Sequence, residues 1–234
     1  SPERQWEAVA FNACPIINNK TRSVDLLYRA MGKPDNSIQP PTRISTIVHA
    51  VKNKTDNSKF ERYDNRSQFI TPSEPFDMYG CEDPRVTFFE GKYYTFYTAL
   101  SGVPFNASNI KVAVAVSSTL DTVEEKHLVL PFNGKAMALF PERINGKIVV
   151  IFAAHTDEPP VKIALAQCDR IEELWDAAFW EEWHNHIDEQ TLSLARTDTD
   201  FCEIGAVPIK TQYGWFLVYA HVQNYFNEHE RIFG

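Results

Sequence analysis

Arg85-Val-Thr-Phe-Phe-Glu-Gly-Lys-Tyr-Tyr-Thr-Phe-Tyr-Thr98 reads as two β-strands joined by a tight turn containing Gly91. β-Branched and aromatic residues crowd both arms, and glycine supplies the positive φ that a short hairpin loop needs. Ile110-Lys-Val-Ala-Val-Ala-Val-Ser117 follows as a third strand. The same order recurs along the chain. Leu139 to Phe152 pivots on Gly146 and is followed by Val161 to Ala166, Ile204 to Tyr219 pivots on Gly214, and a weaker copy lies around Asp25–Arg29 and Ile44–Ala50. Antiparallel meanders repeated every roughly fifty to seventy residues are what the blades of a β-propeller produce. A β-sandwich would space its strands more evenly and closely. Only Ile171 to Trp183 reads as helical, and it is placed as a blade insertion. Its three tryptophans are expected to pack rather than to form a ligand platform. Glu230-Arg-Ile-Phe-Gly234 reads as the start of a further strand. A propeller closes its ring to protect its edges, so residues 1–234 are expected to form a single propeller domain that ends before its last blade is complete.

Composition narrows the function. With 234 residues, 44% hydrophobic and 13% aromatic, the chain can bury a sizeable core as one domain. A net charge of −8 argues against nucleic acid or an anionic membrane as partner, since both require clustered Lys and Arg. No apolar run approaches the ~20 residues needed to span a bilayer. Cys14, Cys81, Cys168 and Cys202 form no Cys-x-x-Cys pair, so they are expected as reduced, buried thiols of a soluble, cytoplasmic protein. A chain that does not open on Met is also compatible with a removed leader. His184-Asn-His186 lacks the spacing of a zinc or nuclease site, and no Gly-rich phosphate loop precedes a helix. No metal and no organic cofactor are expected. The oligomeric state, a homo-oligomer included, is left open.

Chemistry concentrates in Gly80-Cys-Glu-Asp-Pro-Arg-Val-Thr87, where two carboxylates, a proline and an arginine meet at the start of an apolar strand. A carboxylate before a proline and beside a guanidinium suits a proton donor or a ligand of sugar hydroxyls. A charged turn with a surface ion pair is the bland alternative. In a propeller the innermost strand of each blade lines the channel. Asp83, Glu142 and Glu203 all lie near such strands and are expected to converge there. Convergent carboxylates are the equipment of glycoside cleavage, one protonating the leaving oxygen and another activating the nucleophile.

Several segments together resemble glycoside hydrolase family 130, whose members are five-bladed propellers acting on β-mannosides with inversion, as phosphorylases or hydrolases. The matching segments are Phe11-Asn-Ala13 before Leu27-Tyr-Arg-Ala30, then Gly80 to Thr87, Leu139 to Lys147, and Ile204 to Tyr219. They cover nearly the whole chain in order. The resemblance implies Asp83 as general acid, passing its proton through a mannose hydroxyl, with Asn12, Arg29 and Arg85 holding the sugar or orienting Asp83. Arg85 reads equally well as a structural partner of Glu82.

Family phosphorylases grip phosphate with an Arg-Asn pair before Leu-Phe-Pro, a Lys before Ile-Gly and a His after the Gly-Trp strand. The corresponding places here are Lys135-Ala136, Glu203 and His221. A carboxylate at a phosphate site sets like charges together at a cost of order kcal/mol, and could instead activate water. The sequence is therefore read as an inverting glycosidase that hydrolyses β-linked manno-oligosaccharides, with Asp83 as acid and Glu203, or else Glu142, as base. His155 and His221 are further candidate polar contacts. The alternatives are a phosphorylase, which takes inorganic phosphate as co-substrate through Lys135 and His221, and a non-catalytic sugar-binding propeller.

Overall fold

The computed structural model describes residues 5–17, 23–52, 60–62, 68–158, 160–194 and 197–234. They form an all-β, propeller-like arrangement of four antiparallel blades, where the resemblance implies five. The first blade holds β1 (Val9–Ile17), β2 (Val24–Asp35) and β3 (Thr42–Lys52), with the short β4 (Glu61–Arg62) and β5 (Gln68–Ile70) both paired to β3. The second is the meander β6 (Gly80–Phe89), β7 (Lys92–Leu100), β8 (Ile110–Ser117) and β9 (Glu125–Leu130). The third is β10 (Gly134–Leu139), β11 (Ile148–Ala154), β12 (Lys162–Cys168) and β13 (Thr191–Leu192). In the fourth, β14 (Phe201–Ile204) and β15 (Ile209–Thr211) run against β16 (Gly214–Phe216) and β17 (Tyr219–Gln223), and β18 (Ile232–Phe233) pairs with β17. Gly205 N donates to Val218 O at 2.8 Å across the break, so these pieces are one interrupted hairpin.

Both faces of the inner blades are buried, which explains why their strands read as continuous apolar runs. Along β11, Ile148, Val150, Phe152 and Ala154 enter the core shared with the second blade, while Val149, Ile151 and Ala153 enter the core shared with the fourth. β8 divides the same way: Val112, Val114 and Val116 face the third blade, and Ala113 and Ala115 face the first. This period of two is the pleat of a strand sandwiched between neighbours. The turn after β6 places Glu90 and Gly91 at φ 45° and 92°, the paired positive values a two-residue hairpin loop requires.

Three expectations shift. The Glu82-Asp83-Pro84 segment lies inside β6 rather than before it, because a bulge absorbs one extra residue between Glu82 and Arg85. A bulge also tolerates the proline, whose missing N–H an unbroken ladder would not. The first strand of the third blade ends at Leu139 rather than beginning there, and Phe140 to Lys147 forms the turn closed by the Ile144–Lys147 bridge. The expected helix divides at Asp176 into a 3-10 turn (Ile171–Trp175) and α1 (Ala177–Asn185), with the Asp176 side chain accepting from Ala178 N at 2.9 Å. The buried Trp180 and Trp183 pack on Phe152 and Phe132, and Trp175 stacks on His127.

The approach to β6 is fixed by fully buried Asp77. Its carboxylate accepts from Ser73 N and Glu74 N at 2.9 Å and from Tyr97 OH at 2.8 Å, and it ion-pairs with Lys126. Burial opposes the charge, but the hydrogen bonds from Lys126, Ser73, Glu74 and Tyr97 outweigh it and hold the carboxyl below its usual range. Asp77→Ala leaves the Lys126 charge uncompensated and is expected to lower the unfolding free energy by about 3–5 kcal/mol in urea titrations. Adding Lys126→Met should cost less than the sum of the two single changes. A depressed carboxylate contributes stability above its unfolded pKa of about 3.9 and loses it as pH falls through the folded value. The gap between parent and Asp77→Ala should therefore be full at neutral pH and close in acid.

Candidate active site

The inner strands of the first three blades share one irregularity. β1 carries an extra residue between Phe11 and Cys14, β6 between Glu82 and Arg85, and β10 between Lys135 and Ala138. The residue at each bulge is left-handed: Asn12 at φ 50°, Asp83 at 52° and Ala136 at 54°. Bulges re-aim side chains, and here the first two meet, Asn12 Nδ2 donating to Asp83 Oδ1 at 2.8 Å.

Arg29, on β2 beside Phe11, joins the first two blades. Its guanidinium ion-pairs with Glu82, lies 3.4 Å from Asp83 Oδ1, and sits 4.7 Å from the Phe11 ring centroid. Its Nε donates to Ser45 Oγ at 3.1 Å, and Ser45 Oγ donates to Glu82 Oε1 at 3.0 Å. Glu82 is thereby held on two sides. Burial raises its pKa, with Arg29 opposing and Asp83 reinforcing the shift. Asp83 keeps Oδ2 without a protein hydrogen-bond partner among the described residues.

Arg85 is buried and is not the partner of Glu82. Its Nη1 donates to the Asp83 and Pro84 carbonyls at 3.4 and 3.2 Å, and Nη2 to the Ile204 carbonyl of β14 at 3.1 Å. This clamp sets Glu203, the residue before Ile204, against the β6 bulge. The half-buried Glu203 carboxylate makes no protein hydrogen bond or ion pair among the described residues. Burial raises its pKa, Asp83 and Asp157 add to the effect, and Lys135 and Arg85 oppose it. Lys135 also acts on Glu82, so the charges of Glu82, Asp83, Glu203, Lys135 and Asp157 lie within electrostatic reach of this end of the inner strands.

The structure thus gathers Asp83, Glu203, Asn12, Arg29, Arg85 and Lys135. It does not gather the other three candidates. Glu142 lies in the turn beyond the far end of β10 from the bulge, where it is exposed and ion-paired with Lys210. His155, at φ 58° after β11, packs against Phe132 and His184 with centroids 6.0 and 5.5 Å away, and burial and His184 lower its pKa. His221 pairs across the sheet with Cys202, on the face opposite Glu203, and its Nε2 lies 2.8 Å from Asp200. The sequence reading missed Ser45 and Asp157; neither sits in a motif. Among the described residues no group of His, Cys, Asp and Glu is placed to hold a metal ion.

Residues 9–230 match the family described as beta-1,4-mannooligosaccharide phosphorylase. A 1,2-beta-oligomannan phosphorylase of a Thermoanaerobacter species is 32% identical over 93% of this chain and 66% of its own. A Listeria innocua beta-1,2-mannobiose phosphorylase, solved with beta-1,2-mannobiose, superposes with a TM-score of 0.66 at 19% identity, covering 96% of this chain and 70% of that one. A structure described for family glycoside hydrolases that target beta-1,2 mannosidic linkages in Candida mannan also reaches 0.66, at 18% identity and over 93% of this chain and 62% of that one. The chain spans about two thirds of the length of these relatives. The family match over almost all of the chain makes this chain a member of glycoside hydrolase family 130.

Proposed function

We propose that the chain carries the cleavage site of an enzyme that breaks β-mannosidic bonds of manno-oligosaccharides by transfer to inorganic phosphate, releasing mannose 1-phosphate. The names of the family and of its sequence relatives support phosphorolysis. The observation that carries the reading is Asp83: a bulge residue with Oδ1 held by Asn12 and Arg29 and with Oδ2 unclaimed by protein. In this reading a phosphate oxygen bonds to the sugar C1 as the glycosidic C–O bond breaks. Asp83 supplies the proton taken up by the leaving oxygen. Arg29 and Asn12 hold the Asp83 carboxyl in place, and Lys135 is the cation that incoming phosphate meets.

Hydrolysis is the second reading, and Glu203 favours it. A carboxylate without a protein partner, its pKa raised by burial and by Asp83, is suited to take a proton from water attacking the opposite face of the sugar.

Incubating the intact protein with β-1,2- and β-1,4-mannobiose, with and without inorganic phosphate, separates the readings. Mannose 1-phosphate formed only with phosphate is the expected product. Free mannose formed equally in both conditions, and lost in Glu203→Gln, selects hydrolysis instead. No product from any mannoside overturns both. Asp83→Asn is expected to lower turnover by about 10²-fold or more.

A second measurement needs no substrate. A raised carboxyl pKa means that the folded state binds the proton more tightly than the unfolded one, so stability falls as pH rises through that window. Glu203→Gln removes this penalty. It should melt at a higher temperature than the parent at pH 7, with the difference vanishing below the unfolded value of about 4.3. Equal melting at both pH values would mean that Glu203 is solvated.

A further inference from the structure

Lys135 is already occupied. Its Nζ lies 2.9 Å from Asp157 Oδ1, and Asp157 is itself fixed in place. Oδ2 accepts from Asn133 Nδ2 at 3.0 Å and from Thr156 Oγ1 at 2.9 Å, while the Asp157 N–H donates to Asn133 Oδ1 at 2.9 Å. Asn133 is buried and reaches the Ile110 carbonyl at 3.4 Å, which ties the cluster to β8. Burial opposes the Asp157 charge, but the hydrogen bonds from Asn133, Lys135 and Thr156 outweigh it and hold the carboxyl below the usual range. Asp157 is therefore an anion at neutral pH.

The other two cations of the site are engaged as well. Arg29 is shared by Glu82 and Asp83, and Arg85 is spent on backbone carbonyls. A phosphate dianion approaching Lys135 meets an ammonium already paired with Asp157 and sits near the charges of both Asp157 and Glu203. A neutral water molecule meets no such opposition.

We propose that Asp157 is a specificity-determining residue which, by holding Lys135 in an ion pair beside Glu203, weakens the site for phosphate and sets how well phosphate competes with water for the sugar. The inference rests on the reading of these residues as the cleavage site. With phosphate, its oxygen bonds to C1, the glycosidic bond breaks and the leaving oxygen takes the Asp83 proton. With water, its oxygen bonds to C1 as the same bond breaks, the leaving oxygen again takes the Asp83 proton, and the proton that water loses passes to Glu203.

The test is Asp157→Asn, close to the parent in shape and short of one charge. Inorganic phosphate binding is read by titration calorimetry on the intact protein, and KM for phosphate is separated from kcat on mannobiose. Phosphate should bind about tenfold more tightly or better, the scale expected for removing one contacting charge in a partly solvated site. The ratio of phosphate-dependent to phosphate-independent product should rise with it. Adding Lys135→Met should abolish the gain. Unchanged or weaker phosphate binding in a variant that unfolds like the parent overturns the proposal, and so does a gain that survives Lys135→Met. Should Asp157→Asn fold poorly, Asp157→Ser removes the same charge and is read in the same way: tighter phosphate binding is expected, and unchanged or weaker binding in a folded variant overturns the proposal. If the parent turns over no mannoside, the functional reading fails while calorimetry still reads the effect of Asp157.

Discussion

The buried guanidinium of Arg85 fixes the geometry on which the candidate site depends. It gathers the carbonyls of Asp83 and Pro84 on one inner strand and of Ile204 on another, while its Nε finds no partner among the described residues. Taking a cation out of water costs several kcal/mol. Several charge-assisted bonds to carbonyl oxygens offset part of that cost. The outcome is a hydrogen-bonded bridge between Asp83 and the neighbour of Glu203, made through backbone rather than through either candidate carboxylate. A lysine could not replace it, since one ammonium cannot span both strands as a planar fork does.

The second constraint is the repeated bulge. A left-handed residue other than glycine costs roughly 1–2 kcal/mol, and the first three inner strands each carry one. Such strain persists where surrounding packing over-determines it. Here the cores between blades hold the inner strands on both faces, with Cys14 Sγ accepting from Val86 N at 3.4 Å and Thr87 Oγ1 donating to the Leu139 carbonyl at 3.0 Å. The strain turns Asn12 and Asp83 toward each other. At the third bulge the side chain is only Ala136.

Much of this was legible in the sequence, because blade strands obey a period of two and glycine turns mark their reversals. The hairpin around Gly91 and the strand after Gly146 lie where the residues put them. The convergence of carboxylates was legible only in part. Asp83 and Glu203 lie close enough for their charges to act on one another, whereas Glu142 follows a strand that ends at Leu139 rather than beginning there. Bulges leave no mark in composition, so the inclusion of Glu82, Asp83 and Pro84 in β6 was hidden. Asp157 was invisible for another reason: its importance comes from the Asn133 and Thr156 hydrogen bonds that aim it at Lys135, and no spacing rule connects those residues.

The site divides along the blades. The side proposed to donate the proton, Asn12, Arg29, Ser45, Glu82 and Asp83, is built by the first and second blades through a linked set of hydrogen bonds. The opposite side, Lys135, Asp157 and Glu203, is built by the third and fourth, and its members touch the donor side through charge and through the Arg85 clamp. The two halves can therefore be altered separately. On the proposed reading, changing which group attacks the sugar requires only a different balance of charge on the third and fourth blades, and leaves the Asp83 bulge, its donors and its strain intact. A family of mannoside phosphorylases that contains glycoside hydrolases is consistent with that separation, because on the same reading the leaving oxygen makes the same demand on Asp83 whichever nucleophile arrives.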